Sequence, residues 1–587
     1  MTERALEGLD ERQREAATAV RGPVCVLAGA GTGKTRVLTR RIAYGVDTGA
    51  FSPARVMALS FTTKAAGELR GRLRALGVQG VSARTFHSAA LAQLNYFWPQ
   101  LTGDSAPALV DNKVRLLAQA ADELRLPAEG AALRDVAAHI EWRKVTMRGI
   151  EEAARARPGG VGGYAHDAVV DLQARYERLK DQRRQLDFED VLLACAGMLE
   201  SEPRVAASVR EQYRHFTVDE FQDVSPVQQR LLEVWLGDRR DVCVVGDVSQ
   251  TIYSFAGADP RLLLGFAERY PEARVVRLEE NYRSDAAVLA VANALMRGRP
   301  GALVLVAAGQ AGADAAEPTG AGAADPAGAA APTVTAYPDD AAEAEGVAAS
   351  VAAQLAAGTD PSAVAVLYRV NAQSAPLLAA LARRGIAASV LGGRRFFDLP
   401  EVRRAIMELR AASVAPMETS FLATVRDILR NAGHTDEPPA AGGAAREVWE
   451  ARAAVLRMAE DAPAGTSLRA FSDELLARAK DQHEPAMRTV TLSTLHAAKG
   501  LEWDHVHLVG LAEGLLPISF ATTFEQVDEE RRLAYVGITR AARTLSVSWA
   551  RASGARERQP SRFLQEIGTG TLRAVDARAR SGGRVPR

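Results

Sequence analysis

AGAGTGKT, Ala28–Thr35, is the stretch whose reading decides the fold. It follows the apolar run Val24–Ala28 and opens the helix-patterned stretch Lys34–Val46, so the local order is strand, loop, helix. Gly29, Gly31 and Gly33 let the backbone curl until its N–H groups converge, with Ala28, Ala30 and Thr32 completing the cradle. The helix start adds partial positive charge, and both features favour a bound phosphate. Lys34 is spaced to reach the β- and γ-phosphates, and the Thr35 hydroxyl to ligate Mg²⁺. Ala28 stands where the general motif has Gly. A glycine turn without a ligand is the alternative, and the strand–loop–helix context argues against it.

Outward from this loop the same alternation recurs. Val56–Ser60 reads as a strand leading into the helical Lys64–Leu76, and His215–Val218 and Asp241–Val245 are further apolar runs. Buried strands alternating with helices predict a parallel sheet in an α/β domain. HFTVDEFQD, His215–Asp223, places Asp219 and Glu220 at a strand end. In a phosphate-loop enzyme the first carboxylate holds Mg²⁺ and the second orients the attacking water. Without the loop, the pair would read as a solvated strand end. Residues 89–186 are helical and amphipathic, for example Asn112–Arg125 and Ala165–Lys180, and read as an insertion. A second α/β set is expected from near Val275, including Ala363–Tyr368, Val506–Val509 and Thr544–Ser548. The Ala/Gly-rich stretch 307–332 and Pro438–Ala445 read as loops, and 576–587 as a disordered basic tail.

Composition narrows the function. The 587 residues exceed one core, so several domains are expected. No apolar run is long enough to span a membrane and Met1–Val20 lacks a signal-peptide core, so a cytoplasmic location is expected. Cys25, Cys195 and Cys243 are far apart with no CxxC, which excludes a zinc ribbon and a disulfide framework. Acidic and basic residues balance at 72 each, so nucleic-acid binding would need local positive strips. Only seven lysines stand against 65 arginines, so a retained lysine marks a place for a compact point charge. Lys34, Lys64 and Lys499 all lie inside motifs.

Further motifs accompany these two sites: LDERQREAA (Leu9–Ala17), SFTTKAAGELRGR (Ser60–Arg72), TFHS (Thr85–Ser88) and VVGDVSQTIYSFAGA (Val244–Ala258). LEENYRS (Leu278–Ser284), VTLSTLHAAKGLEW (Val490–Trp503) and RRLAYVGITRA (Arg531–Ala541) follow. In this order they resemble the motif set of superfamily 1 helicases of the UvrD/PcrA/Rep type, over nearly the whole chain. Within that family the chain is most similar to the second, shorter-motored UvrD-like branch of actinobacteria.

The resemblance implies an α/β fold of two RecA-like parallel-sheet motor domains, each with a mainly helical insertion. The first motor domain would be 1–88 with 187–277, interrupted by the helical insertion 89–186. The second would be 278–396 with 487–575, interrupted by a reduced accessory domain at 397–486. The implied activity is a DNA-dependent ATPase and 3′→5′ DNA helicase acting in DNA repair. Its cofactors would be ATP and Mg²⁺, and its partners single-stranded and tailed duplex DNA, with repair proteins, for a monomer. Gln13 would read the adenine edge, Arg36 and Tyr282 would sandwich it, and Glu502 would contact the ribose. Gln250 would sense the γ-phosphate, while Arg283 and Arg540 would stabilise transition-state charge. Phe61, His87, Tyr253, Phe255 and Phe563 match base-contacting positions. Thr62, Lys64, Arg72 and His496 match backbone-contacting or coupling positions.

Departures from the family pattern are Thr63, Val248-Ser249, Ala256 and above all the short accessory segment. That shortness also fits a translocase that strips proteins from single strands but unwinds poorly. No further module is expected after Ile567. A small-molecule phosphate-loop kinase would leave Tyr253, Phe255 and the two arginines unexplained. An inactive ATP-gated scaffold would not require the complete catalytic set.

Overall fold

Four strands of the first sheet are buried almost throughout: β1 (Val24–Ala28), β2 (Val56–Ser60), β4 (His215–Val218) and β5 (Val242–Gly246). Apolar runs buried on both faces suit a parallel sheet covered by helices. With β3 (Ser82–Thr85) and β6 (Arg274–Leu278) they form a parallel six-stranded sheet in the order β3-β2-β4-β5-β1-β6. The strand at Val275, expected to open a second set, is instead the edge of this first sheet, paired with β1 from Val24↔Arg274 to Ala28↔Leu278. Its side chains are exposed at three of five positions, as an edge allows.

The computed structural model describes residues 2–309, 331–391, 396–413, 420–437, 444–463, 465–481, 488–568 and 570–576. Most of the 307–332 loop, most of Pro438–Ala445 and nearly all of the 576–587 tail lie outside the described residues. Two compact units are present: Met1–Tyr282 with Pro300–Leu305, and Arg283–Arg299 with Val306–Arg587.

In the first unit, α1 (Glu11–Thr18) precedes β1, and α2 (Lys34–Asp47) and α3 (Thr63–Ala75) follow β1 and β2. After α4 (Phe86–Thr102) comes a helical layer that includes α5 (Gly130–Val145) and α6 (His166–Arg183). It has its own core of Leu117, Ile140, Leu172 and Tyr176. The chain returns to the main core through α7 (Phe188–Ser201), which buries Leu192, Cys195 and Leu199. The loops after β1, β2, β4 and β5 leave the carboxyl edge of one sheet, where ligands bind in open α/β folds.

The second unit holds a parallel seven-stranded sheet. In chain order its strands are β7 (Thr333–Tyr337), β8 (Val364–Tyr368), β9 (Ala388–Val390), β10 (Val490–Thr494), β11 (Trp503–Leu508), β12 (Ala541–Ala550) and β13 (Arg573–Asp576). Their spatial order is β9-β10-β8-β11-β12-β7-β13. Between β9 and β10 the helices Pro400–Ala412, Phe421–Asn431, Ala444–Glu460 and Leu468–Asp481 gather around Leu409, Val425, Val455 and Phe471. The three cysteines are free and buried. Among the described residues no helix is long and apolar enough to cross a membrane.

Candidate functional site

The phosphate loop leaves β1 and turns through Gly31 and Gly33, whose φ angles of +69° and +83° favour glycine. A Cβ on Gly29 would come within 2.2 Å of Leu305 Cδ2. The loop carbonyls are satisfied both from outside the cradle and from within it. Asn281 Nδ2 donates to Ala30 O at 2.6 Å, Tyr282 N to Gly31 O at 2.9 Å and Gln13 Nε2 to Thr32 O at 2.9 Å. Lys34 Nζ donates to Ala28 O at 3.2 Å, and the Thr32 hydroxyl donates to Gly29 O at 2.9 Å. The N–H groups of Gly31, Gly33, Lys34 and Thr35 have no acceptor among the described residues. Such a nest of convergent donors at a helix start is built for an anion.

At the end of β4, Asp219 is 7% exposed, and its carboxyl is pushed up to about 7 by burial and then by the neighbouring Glu220, with Lys34 opposing. Two crowded carboxylates beside one ammonium leave room for a further cation. The hard oxygens of Asp219 and Thr35 suit Mg²⁺, which uses few protein ligands when phosphates supply the rest. Glu220 holds a left-handed backbone, φ +52°, uncommon for a residue with a side chain.

A hydrogen-bond chain ties the carboxylates to the loop after β5. Gln222 Nε2 donates to Glu220 Oε2 at 2.5 Å, and Gln222 Oε1 accepts from Asp247 N at 2.9 Å. Asp247 Oδ2 accepts from Gln250 Nε2 at 2.7 Å. Burial raises the Asp247 pKa, against the pull of Lys34 and Gln250. Gln222 and Asp247 were not singled out from sequence, although both lie within quoted motifs.

On the base side, Asp10 caps α1 by accepting Gln13 N at 2.7 Å and accepts the Tyr282 hydroxyl at 2.7 Å on its other oxygen. Burial and then the Asp10 carboxylate raise the Tyr282 pKa. Arg36 is half-buried on α2, its guanidinium against Gly8. Gln13, Arg36 and Tyr282 thus lie in the same unit as the phosphate loop.

Glu502, Arg283 and Arg540 belong to the second unit. Arg283 Nε donates to Glu502 Oε2 at 2.5 Å. Arg540, 1% exposed, donates to Val536 O at 2.9 Å, Leu501 O at 3.0 Å and Thr539 Oγ1 at 3.1 Å. His496 is half-buried near Arg369 and Lys499; burial first, then those two cations, push its pKa down to about 4.

Past the phosphate side, three aromatic rings form a ledge in the first unit. Phe61 stacks on Tyr253 with centroids 5.5 Å apart, and Tyr253 meets Phe255 edge-on at 6.1 Å. Phe255 is 65% exposed. Thr62 caps α3, and Arg72 pairs with Glu68 at 2.5 Å. His87 stacks on Phe188 at 3.9 Å, and its buried Nε2 has no hydrogen-bond partner among the described residues. Phe188 was missed from sequence; its signal was a large apolar residue between carboxylates, LDFED, at the first turn of a helix.

Phe563 requires a correction. Expected at the nucleic-acid surface, it is 0% exposed, with the Arg531 guanidinium 5.3 Å from its ring centroid. A base could reach that ring only if the core around it opened.

The UvrD/REP helicase N-terminal domain matches residues 9–271, and the UvrD-like helicase C-terminal domain matches 276–436 and 453–552. ATP-dependent DNA helicase UvrD2 of Mycobacterium tuberculosis is 46% identical, the match covering 96% of this chain and 82% of that protein. ATP-dependent DNA helicase PcrA of Bacillus subtilis is 28% identical over 96% of this chain and 86% of its own length. DNA helicase II of Escherichia coli is 28% identical over 98% of this chain and 89% of its own length. With both halves of the chain matched in order, this protein belongs to the UvrD/REP helicase family.

Proposed function

We propose that the chain is an ATP-dependent DNA helicase that moves 3′→5′ along single-stranded DNA and opens duplexes, in the service of DNA repair. One observation carries the reading. The chain Glu220–Gln222–Asp247–Gln250 links the hydrolytic carboxylate to the loop that bears Tyr253 only three residues later. Changes at the γ-phosphate thus have a short, rigid route to rings that can stack on bases.

In this reading the nest at Gly31–Thr35 holds the triphosphate, and Gln13 and Tyr282 hold the adenine. Mg²⁺, held by Thr35 and Asp219, would neutralise phosphate charge. Glu220 orients the water, and its strained backbone, fixed through Gln222, keeps the carboxylate aimed. Arg283 and Arg540 are the residues to which the family pattern gives the stabilisation of transition-state charge. ATP binding and hydrolysis then favour different states of the motor.

The test is strand displacement on 3′-tailed and 5′-tailed duplexes. Unwinding of the 3′-tailed substrate alone is the expected result, and the reverse preference would overturn the polarity. The small accessory bundle between Pro400 and Asp481 favours a second reading, a translocase that removes bound proteins and unwinds weakly. DNA-stimulated ATP turnover with failure on both duplexes would select it.

A further inference from the structure

Of the seven lysines, Lys144 and Lys180 share one ionic cluster that ties the helical insertion to α7, and Lys113 pairs with Glu141 and Glu189 beside it. Lys144, at the end of α5, is 3% exposed. Its ammonium donates to Asp187 Oδ2 and to Asp190 Oδ1, each at 2.6 Å, and lies 3.0 Å from Glu177 Oε1. Asp187 and Asp190 are also the capping box of α7. Asp187 Oδ1 accepts Asp190 N, and Asp190 Oδ2 accepts Asp187 N, both at 3.1 Å. Lys144 therefore takes the two carboxylate oxygens that the box leaves over. Lys180 bridges the same carboxylates, and Arg143 pairs with Glu177 at 2.6 Å. Arg143, Lys144 and Lys180 balance Glu177, Asp187 and Asp190. Burial alone would raise the Asp187 pKa, but Lys144 and Lys180 hold it well below the usual range.

Of the two neighbours of this clamp, one stacks on a ring and the other packs on the turn that follows Phe255. Phe188, the first residue of α7, is 56% exposed and stacked on His87. Val145, next to Lys144, packs over Gly257, where a Cβ would come within 2.3 Å of Val145 Cγ2. Gly257, at φ +90°, ends the turn that carries Tyr253 and Phe255.

We infer that Lys144 is a positioning residue for single-strand binding. It fixes the end of α5 between the His87–Phe188 pair and the Phe61–Tyr253–Phe255 ledge, and so sets the spacing at which bases stack on both. The inference rests on the single-strand reading above. A lysine suits the place because a compact ammonium meets three carboxylates in a volume that a planar guanidinium would not fill in the same geometry.

The experiment compares the wild type with K144M, K144M/D190N and V145A, all as the full chain. K144M leaves three carboxylates facing two cations; the double variant restores neutrality and guards against simple misfolding. V145A opens the contact with the Gly257 turn without touching a charge. Binding of an oligonucleotide carrying 2-aminopurine is followed by anisotropy for affinity and by fluorescence quenching at saturation for stacking, beside a thermal midpoint. K144M/D190N with a wild-type midpoint is expected to bind about tenfold more weakly, a loss of one stacked base or so, with reduced quenching. V145A should reduce quenching in the same direction. Wild-type affinity and quenching in both variants would overturn the inference and leave Lys144 a stabiliser of the fold. Absence of oligonucleotide binding by the wild type would instead overturn the single-strand reading, and the inference with it.

Discussion

Tyr282 and Arg283 are consecutive residues that serve different halves of the molecule. Tyr282 N donates to Gly31 O in the phosphate loop at 2.9 Å, while Arg283 Nε donates to Glu502 in the second unit at 2.5 Å. The first passage of the chain from one unit to the other is thus made at this peptide bond, with a proposed base contact on one side and a proposed phosphate contact on the other. A motor that turns hydrolysis into movement needs reacting groups on both moving parts.

Arg283→Ala is therefore expected to lower DNA-stimulated ATP turnover by about 10³-fold or more, as loss of an arginine finger does. The KM for ATP should move far less, because Gln13, Tyr282 and the loop N–H groups all lie in the first unit. Steady-state ATPase at saturating single-stranded DNA measures both constants. A loss below tenfold would return Arg283 to the role of a partner for Glu502.

Asp10 spends one oxygen on the cap of α1 and the other on Tyr282. Asp10→Ala frees two groups proposed to hold adenine, Gln13 and Tyr282. At about 1 kcal/mol per hydrogen bond, the KM for ATP should rise about 5- to 30-fold. Discrimination against GTP should narrow as well, which competition assays with the two nucleotides would measure. An unchanged KM would place the base elsewhere.

Phe188 and Phe563 separate binding from stability. Phe188→Ala removes an exposed ring and should weaken oligonucleotide binding by about 1–3 kcal/mol, with little change in thermal midpoint. Phe563→Ala removes a fully buried ring and should cost about 3–5 kcal/mol of stability. Titration calorimetry and thermal unfolding on both variants give the comparison, and an interchange of the two outcomes would refute both placements.

The pair also marks how far the amino-acid sequence could be read. The phosphate loop was legible because its glycines, lysine and threonine are contiguous and their geometry is local. Asp219 and Glu220 were legible because a strand end delivers them. Phe188 and Phe563 carry the same letter, and only packing decides that one faces solvent while the other lies under Arg531. Gln222 and Asp247 meet across 25 residues, so their role in holding Glu220 and Gln250 appears only in three dimensions. Retained lysines drew notice inside motifs, whereas Lys144 and its carboxylates come from separate helices. At Val275 local pattern marks a strand but not its neighbour: the pattern alone read it as opening a second set, the family-based bound at 277 kept it in the first, and it pairs with β1.

Two histidines of the first unit should make its stability fall in mild acid. Burial pushes the His87 pKa down to about 4. His215 is also pushed down to about 4, by burial first and then by nearby arginines, against the pull of Asp241. In the unfolded chain both would protonate near 6.5, so between about pH 6.5 and 4 the unfolded state binds more protons. The stabilisation is full above that window and is lost as pH falls through it, at up to about 1.4 kcal/mol per pH unit for each histidine. Urea unfolding from pH 7.5 to 4.5 measures the slope, and His87→Gln should lower it by about one proton's worth. Between pH 6 and 8 a neutral His87 gives oligonucleotide affinity no histidine titration at fixed salt. A transition near pH 6.5 that vanishes in His87→Gln would mean that the ring is charged when it meets DNA, and would refute the buried, neutral stack on Phe188.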